Sequence, residues 1–135
     1  MPSYIPAVGQ ADIAIHNGSR TEIKRFDAVV SAAGANTLIA AVAGKKFLLR
    51  SLSLRALGSP VAVHFKTQDS NAPLLGTDAA HPQALDKTST TAPAQIILPS
   101  NSDGWAATAA PNKALEIVLG AAEAVAVLGS YIEID

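Results

Sequence analysis

Apolar and polar residues alternate with a period of two in two stretches of this 135-residue chain. In PVAVHFK, Val61, Val63 and Phe65 share one face, with Ala62, His64 and Lys66 on the other. In NKALEIVLG, Leu115, Ile117 and Leu119 stand opposite Ala114, Glu116 and Val118. A strand turns successive side chains to opposite sides, so both stretches read as half-buried strands. Shorter runs carry the same period: Phe26, Ala28 and Val30; Leu38, Ala40 and Val42; Ile96 and Leu98; Val125 and Val127. Ile132 and Ile134 have the opposite parity to Val125 and Val127. A β-bulge across Gly129-Ser130 is expected to restore the inward face.

The segment KKFLLRSLSLRAL is ambiguous, because Leu49, Leu52 and Ala56 also suit a helical face and Arg50 interrupts the alternation of Leu48, Leu52 and Leu54. Its flanks, Ala43-Gly44 and Gly58-Ser59-Pro60, have turn chemistry at hairpin spacing and favour a strand. Near the N-terminus, IAIHNGSRTEI holds Asn-Gly between two apolar runs, a hairpin signal. A three-residue loop of Asn17, Gly18 and Ser19 is the expected register, since it pairs Ile13 with Ile23 and Asp12 with Lys24. From Thr67 to Pro93 the periodicity lapses and three prolines intervene, so this stretch is expected to be a long loop or extended excursion. Short strands separated by Gly, Pro, Asn and Ser turns predict an all-β chain: an antiparallel β-sandwich, jelly-roll-like. The expected organisation is an N-terminal arm or hairpin over 1–24 and a sandwich over 25–135, with the excursion at 67–93.

Composition narrows the function. Alanine supplies 27 residues, whereas Phe, Trp and Tyr total six, which predicts a thin core completed by neighbouring chains. Ten basic and eleven acidic residues are scattered, and only Lys24-Arg25 and Lys45-Lys46 are adjacent basic pairs. That pattern lacks the basic footprint of a nucleic-acid binder. With no cysteine there are no disulfides, thiolate nucleophiles or Cys-based zinc sites. No charged N-terminal region leads into an apolar run, so neither a signal peptide nor a membrane span is expected.

Candidate chemistry is sparse. His16, His64 and His81 show no i, i+2 ligand pair of the kind a cupin-like metal site would need, so no metal or cofactor is expected. Asp103, Glu116, Glu123, Glu133 and Asp135 could supply paired carboxylates, but carboxylates are expected on any soluble surface. Gly18, Gly34, Gly44, Gly58 and Gly76 are isolated and form no phosphate loop, and no Ser-His-Asp motif is present. No catalytic residue is assigned. Trp105, the only tryptophan, suits an interface anchor or a sugar-stacking platform. The candidate assembly contacts are Tyr4, Ile5, Ile13, Ile15, Leu74, Leu75 and Trp105, which are apolar residues of the N-terminal segment, the hairpin, the excursion and the Gly-Trp element.

From Phe26 to Ile134 the chain resembles small structural proteins of tailed bacteriophages. The resemblance rests on Asn-Thr-Leu-Ile-Ala-Ala-Val at 36–42, the Ala43-Gly44-Lys45-Lys46 turn, and Gly-Trp-Ala-x-Thr-Ala-x-x-Asn-Lys-Ala-Leu at 104–115 leading into an alternating strand. It implies a capsid decoration, or cement, protein: non-enzymatic, made in the host cytoplasm, and trimeric on the capsid exterior. The implied partners are the major capsid protein and itself, with no nucleic acid or membrane, and the N-terminal segment could add a strand to a capsid sheet edge. Other readings are a tail, baseplate or head-fibre component, or a carbohydrate-binding module built on Trp105. The N-terminal hairpin and the 67–93 excursion depart from the family pattern.

Overall fold

The computed structural model describes residues 12–58, 60–88 and 92–135, and every regular element among them is a strand. In chain order these are β1 (Asp12–His16), β2 (Ser19–Val30), β3 (Gly34–Ile39), β4 (Lys46–Ala56), β5 (Val61–Thr67), β6 (Gln83–Leu85), β7 (Gln95–Leu98), β8 (Ala106–Ala107), β9 (Leu115–Leu119) and β10 (Val125–Ile134). One sheet has the order β1-β2-β10-β4-β7 with β8 also paired to β4, and the other β3-β9-β5-β6. All pairs are antiparallel, and they nest: β2 with β10, β3 with β9, β4 with β7 and β5 with β6. Such nesting is that of one long hairpin rolled over itself, which gives the expected jelly-roll-like sandwich.

Alternation places the core. Val61, Val63, Phe65 and Thr67 of β5 are buried, as are Leu115, Ile117 and Leu119 of β9, and they meet Val125, Val127, Leu52 and Leu54 from the facing sheet. Phe26, Ala28, Ile96 and Leu98 pack against this core from the sheet edges. The alternation expected through Leu38, Ala40 and Val42 stops short. Thr37 pairs with Glu116 and Ile39 with Leu115, so Leu38 is an extra residue that turns Ile39 inward, and Ala40 lies exposed beyond the strand. Only Ala14, Ala56 and Ala114 are buried alanines among the described residues. The core is therefore built from large aliphatic and aromatic side chains, and the alanine excess lies elsewhere, contrary to the thin core expected from composition.

The bulge lies in a different strand from the one expected. β10 pairs with β2 without interruption from Val125 to Tyr131, so Gly129-Ser130 inserts no residue there. Against β4, Ser130 pairs with Ser51 and Tyr131 with Leu49, which leaves Arg50 as the extra residue. This shift keeps Phe47 and Leu49 on the same inner face as Leu52 and Leu54. The opposite parity of Ile132 and Ile134 is thus real: they face the outer side of the sheet, in a second cluster with Leu48, Ala14 and Ile23. Gly129 has another reason. A Cβ there would lie 2.5 Å from the Ser51 carbonyl oxygen and 2.7 Å from the Phe26 ring, so the ring closes over a position only glycine can fill.

The hairpin register also differs from expectation. His16 pairs with Ser19, Ile13 with Glu22 and Asp12 with Ile23, around a two-residue loop. Asn17 at φ 49° and Gly18 at φ 79° both take the left-handed conformation of the turn whose twist matches paired strands. This register sends Ile23 to the face of Ala14, where both pack on Ile132, and turns Ile13 and Ile15 away. Lys24 meets Glu133 with Nζ donating to Oε1 at 3.0 Å, and pairs in the ladder with Tyr131 rather than Asp12.

The described part of the excursion is folded. Leu74 and Thr77 exchange backbone hydrogen bonds at 3.0 Å, Thr77 Oγ1 accepts from Phe65 N–H, and β6 adds an edge strand to β5. Gly129→Ala is expected to destabilise the protein by about 1–3 kcal/mol through overpacking against Phe26 and Ser51. Chemical denaturation measures this, and an unchanged midpoint would contradict the packing described.

Candidate assembly face

The outer face of a sandwich sheet ordinarily carries polar side chains. Here the outer face of the six-stranded sheet mixes polar side chains such as Asp27, Ser53 and Arg55 with exposed apolar ones. Side chains alternating with Val125, Val127, Leu52 and Leu54 point outward, and the register sets their neighbours. Val29 lies opposite Ala126, Asp27 opposite Leu128, Leu128 opposite Ser53, and Ser53 opposite Ile97. Val29 is 64 % exposed, Leu128 53 % and Ile97 60 %.

Beyond the end of the β2–β10 ladder the β1–β2 hairpin continues the edge of the sheet. Ala14 and Ile23 cover Ile132 and Leu48, and the reverse side of β1 presents Ile13 and Ile15 beside Glu22 and Arg20. The large residues point outward and the alanine inward, the inverse of what a hairpin on its own core would choose. The loop joining β7 to β8 closes over Leu48 as well. Gly104, at φ 79°, lies so near that a Cβ would fall 2.6 Å from the leucine methyl carbon. On that loop Trp105 is partly exposed, and its indole N–H donates to the Pro99 carbonyl at 2.8 Å. Ile13, Ile15, Val29, Ile97, Trp105 and Leu128 are the exposed large apolar residues among those described; Val29, Ile97 and Leu128 share the outer face of the six-stranded sheet, and Ile13 and Ile15 share the side of the hairpin that carries Glu22 and Arg20. The opposite sheet turns Ala62, His64, Lys66, Glu116 and Val118 outward from β5 and β9.

The expected contacts divide accordingly. Ile13, Ile15 and Trp105 are exposed. Leu74 does not: it is 5 % exposed and packs in the main core, paired with Phe65 and Thr77, so its side chain is unavailable to a neighbour. Leu75 is half-buried against the same core, at φ 56° in the turn with Gly76. Tyr4 and Ile5 lie outside the described residues. Val29, Ile97 and Leu128 were not anticipated from the sequence. Their signal was an apolar residue in the off-phase of an alternating run, next to Val30, Ile96 and Val127.

Titratable groups are dispersed. His16 lies beside the hairpin turn, His64 on the outer face of β5, and His81 in the excursion, where Nδ1 is 3.0 Å from Asp78 Oδ1. No three His, Asp or Glu side chains gather as a metal site among the described residues. An open cleft of about 570 Å³ between the hairpin and the end of β10 is lined by His16, Arg20, Lys24, Lys45, Glu133 and Asp135. Ion pairs join Lys24 to Glu133 and Lys45 to Asp135 across it. The hydrogen bond from Lys113 lowers the pKa of Asp69, and that from Lys45 lowers Asp135. For Asp78, desolvation works upward but is outweighed by the His81 side chain and the backbone N–H groups. The bond to Glu133 raises Lys24. Burial raises the Tyr131 phenol, whose ring meets Phe47 edge-on at 5.4 Å.

No family model matches the chain, and no curated protein matches it. Among solved structures, one titled "Capsid of Ralstonia phage GP4" is similar over 98 % of this chain and 92 % of that chain, at 15 % identity and a TM-score of 0.40. A likeness this distant carries no argument about function.

Two outcomes are expected. Ile15→Lys and Leu128→Lys each change the stability of the isolated chain by no more than about 0.5 kcal/mol, because both side chains are exposed; thermal melts of each variant measure this. The lowered carboxylates contribute stability above their ordinary pKa of 3.8 that is lost as pH falls through their folded values. Raised Lys24 contributes below 10.5, and that is lost as pH rises through its folded value. Melting temperature measured against pH should hold level between these limits; a fall already complete at about pH 6 would contradict the assignment.

Proposed function

We propose that this chain is a non-enzymatic structural protein of a tailed-phage virion, a decoration protein bound on the head exterior to the major capsid protein. The observation that carries this reading is the set of exposed apolar side chains, Val29, Ile97 and Leu128 on the outer side of the six-stranded sheet and Ile13 and Ile15 on the hairpin. Burying such side chains contributes about 25 cal/mol per Å², and in a lone protomer that contribution is forgone. The functional class comes from the sequence resemblance over Phe26–Ile134, which lies on a jelly-roll-like sandwich of the kind capsid domains use. Its mechanism is binding: a rigid sandwich bridging neighbouring subunits adds contact area and holds them against separation.

The β1–β2 hairpin is integral to this scaffold. Removing residues 1–24 would uncover Ile132, which is 1 % exposed, so assembly is better tested by point substitution than by truncation. Purified protein added to capsids that lack it should bind saturably. The double variant Ile15→Lys, Leu128→Lys should reduce occupancy at least about tenfold, a loss of about 1.4 kcal/mol or more. Equal occupancy by the variant, or no binding by the wild-type chain, would refute the reading.

A further inference from the structure

We propose that β1 pairs edge to edge with β1 of a second copy of the chain, through backbone hydrogen bonds. Four strands end the two sheets: β1 and β7 in one, β3 and β6 in the other. Three of them carry a feature that discourages a further strand. β7 runs between Pro93 and Pro99, β6 has three residues and follows Pro82, and β3 is interrupted by the extra residue at Leu38. β1 is five residues in regular register, Asp-Ile-Ala-Ile-His, with no proline, lysine or bulge. Among the described residues no strand and no backbone hydrogen bond reaches its outer edge.

The hairpin turn fixes which groups point to that edge. In a two-residue loop the flanking pair, here His16 and Ser19, is hydrogen-bonded, and bonded pairs alternate along an antiparallel ladder. Ala14 with Thr21 is therefore the next bonded pair, and the N–H and C=O groups of Ile13 and Ile15 point away from β2. Two copies of β1 set antiparallel about Ala14 bring Ile13 opposite Ile15 twice, each pair exchanging two hydrogen bonds. At the two-fold axis Ala14 meets its own copy, where strands approach to about 4.5 Å and a small side chain fits. Asp12 falls opposite His16, an acid opposite a base, so the register is self-complementary along its whole length. The pairing consumes backbone groups and leaves side-chain faces open. The isoleucines of both copies then form one strip, each row running from Glu22 of one copy through Ile13 and Ile15 to Arg20 of the other. Five residues a side is a contact well below the roughly 1,200 Å² of a stable interface, so the dimer is expected to depend on concentration. The inference goes beyond capsid attachment and does not depend on it, because Val29, Ile97 and Leu128 lie on β2, β7 and β10.

The absence of native cysteine makes the register directly measurable. Full-length Ile13→Cys and Ile15→Cys chains, mixed and mildly oxidised, should give the mixed disulfide dimer in excess of its statistical share. Either chain mixed with Lys66→Cys, on the opposite sheet, should not. In residue-resolved amide exchange on the unaltered chain, Ala14 N–H should be protected at every concentration. Ile13 and Ile15 N–H should become protected at least about tenfold as concentration rises. In sedimentation equilibrium Ile15→Pro, which removes an N–H used only in the pairing, should weaken the dimer at least about tenfold, and Leu128→Lys should leave it unchanged. A monomer at all concentrations, association that leaves the Ile13 and Ile15 amides unprotected, or mixed cross-linking no better than the Lys66→Cys control would overturn the pairing. Capsid occupancy, measured separately, reports on the assembly reading, so a monomer that still binds capsids would end this inference and leave that one standing.

Discussion

The extra residue at Arg50 is the constraint on which the sandwich depends. β4 must deliver Phe47 and Leu49, then Leu52, Leu54 and Ala56, to one core, and a regular strand would bring Ser51, Ser53 and Arg55 inward after Leu49. One unpaired residue against β10 resolves the conflict. Its backbone is satisfied on the other edge, where Arg50 O accepts from Asn101 N–H at 2.9 Å and Leu49 O accepts from Trp105 N–H at 2.7 Å. The loop that ends on Trp105 is therefore the clamp on the bulge. At the same point the Ser51 and Ser130 hydroxyls lie 2.6 Å apart on the outer face.

From that phase change the second cluster follows. With β10 regular, Ile132 and Ile134 must point outward, and Leu48 does so from β4. Something has to cover them, and the continuation of β2 into the hairpin does, with Ala14 small enough to let β1 approach closely. The cost of that cover is an inverted strand, whose isoleucines are turned to solvent. The exposed isoleucines are in this sense a by-product of sealing the second cluster, and the off-phase residues Val29, Leu128 and Ile97 add apolar exposure elsewhere on the sheet.

An assembly function suits such a molecule. In the cleft Lys24 is joined to Glu133 and Lys45 to Asp135, the histidines lie on separate elements, and Val29, Ile97 and Leu128 stand exposed on one sheet face.

Much of this was legible in the chain itself. The period of two marks β5 and β9 residue by residue, Asn17-Gly18 marks the position of the hairpin turn, and the parity break in AVAVLGSYIEID is visible, although a bulge restoring one face is what it suggests and a strand serving two faces is what it makes. These are local properties, set by backbone geometry and side-chain polarity. Tertiary structure alone decided which strand absorbs the phase change, because Arg50 in β4 and Gly129-Ser130 in β10 are equally plausible until the Phe26 ring is seen over Gly129. It alone decided the hairpin register, since pairing Ile13 with Ile23 looks favourable until Ile132 and Leu48 are found waiting under Ala14. Buried Leu74 and exposed Leu128 carry the same side chain. Polarity could not separate them, because burial belongs to the neighbours that folding brings and not to the residue.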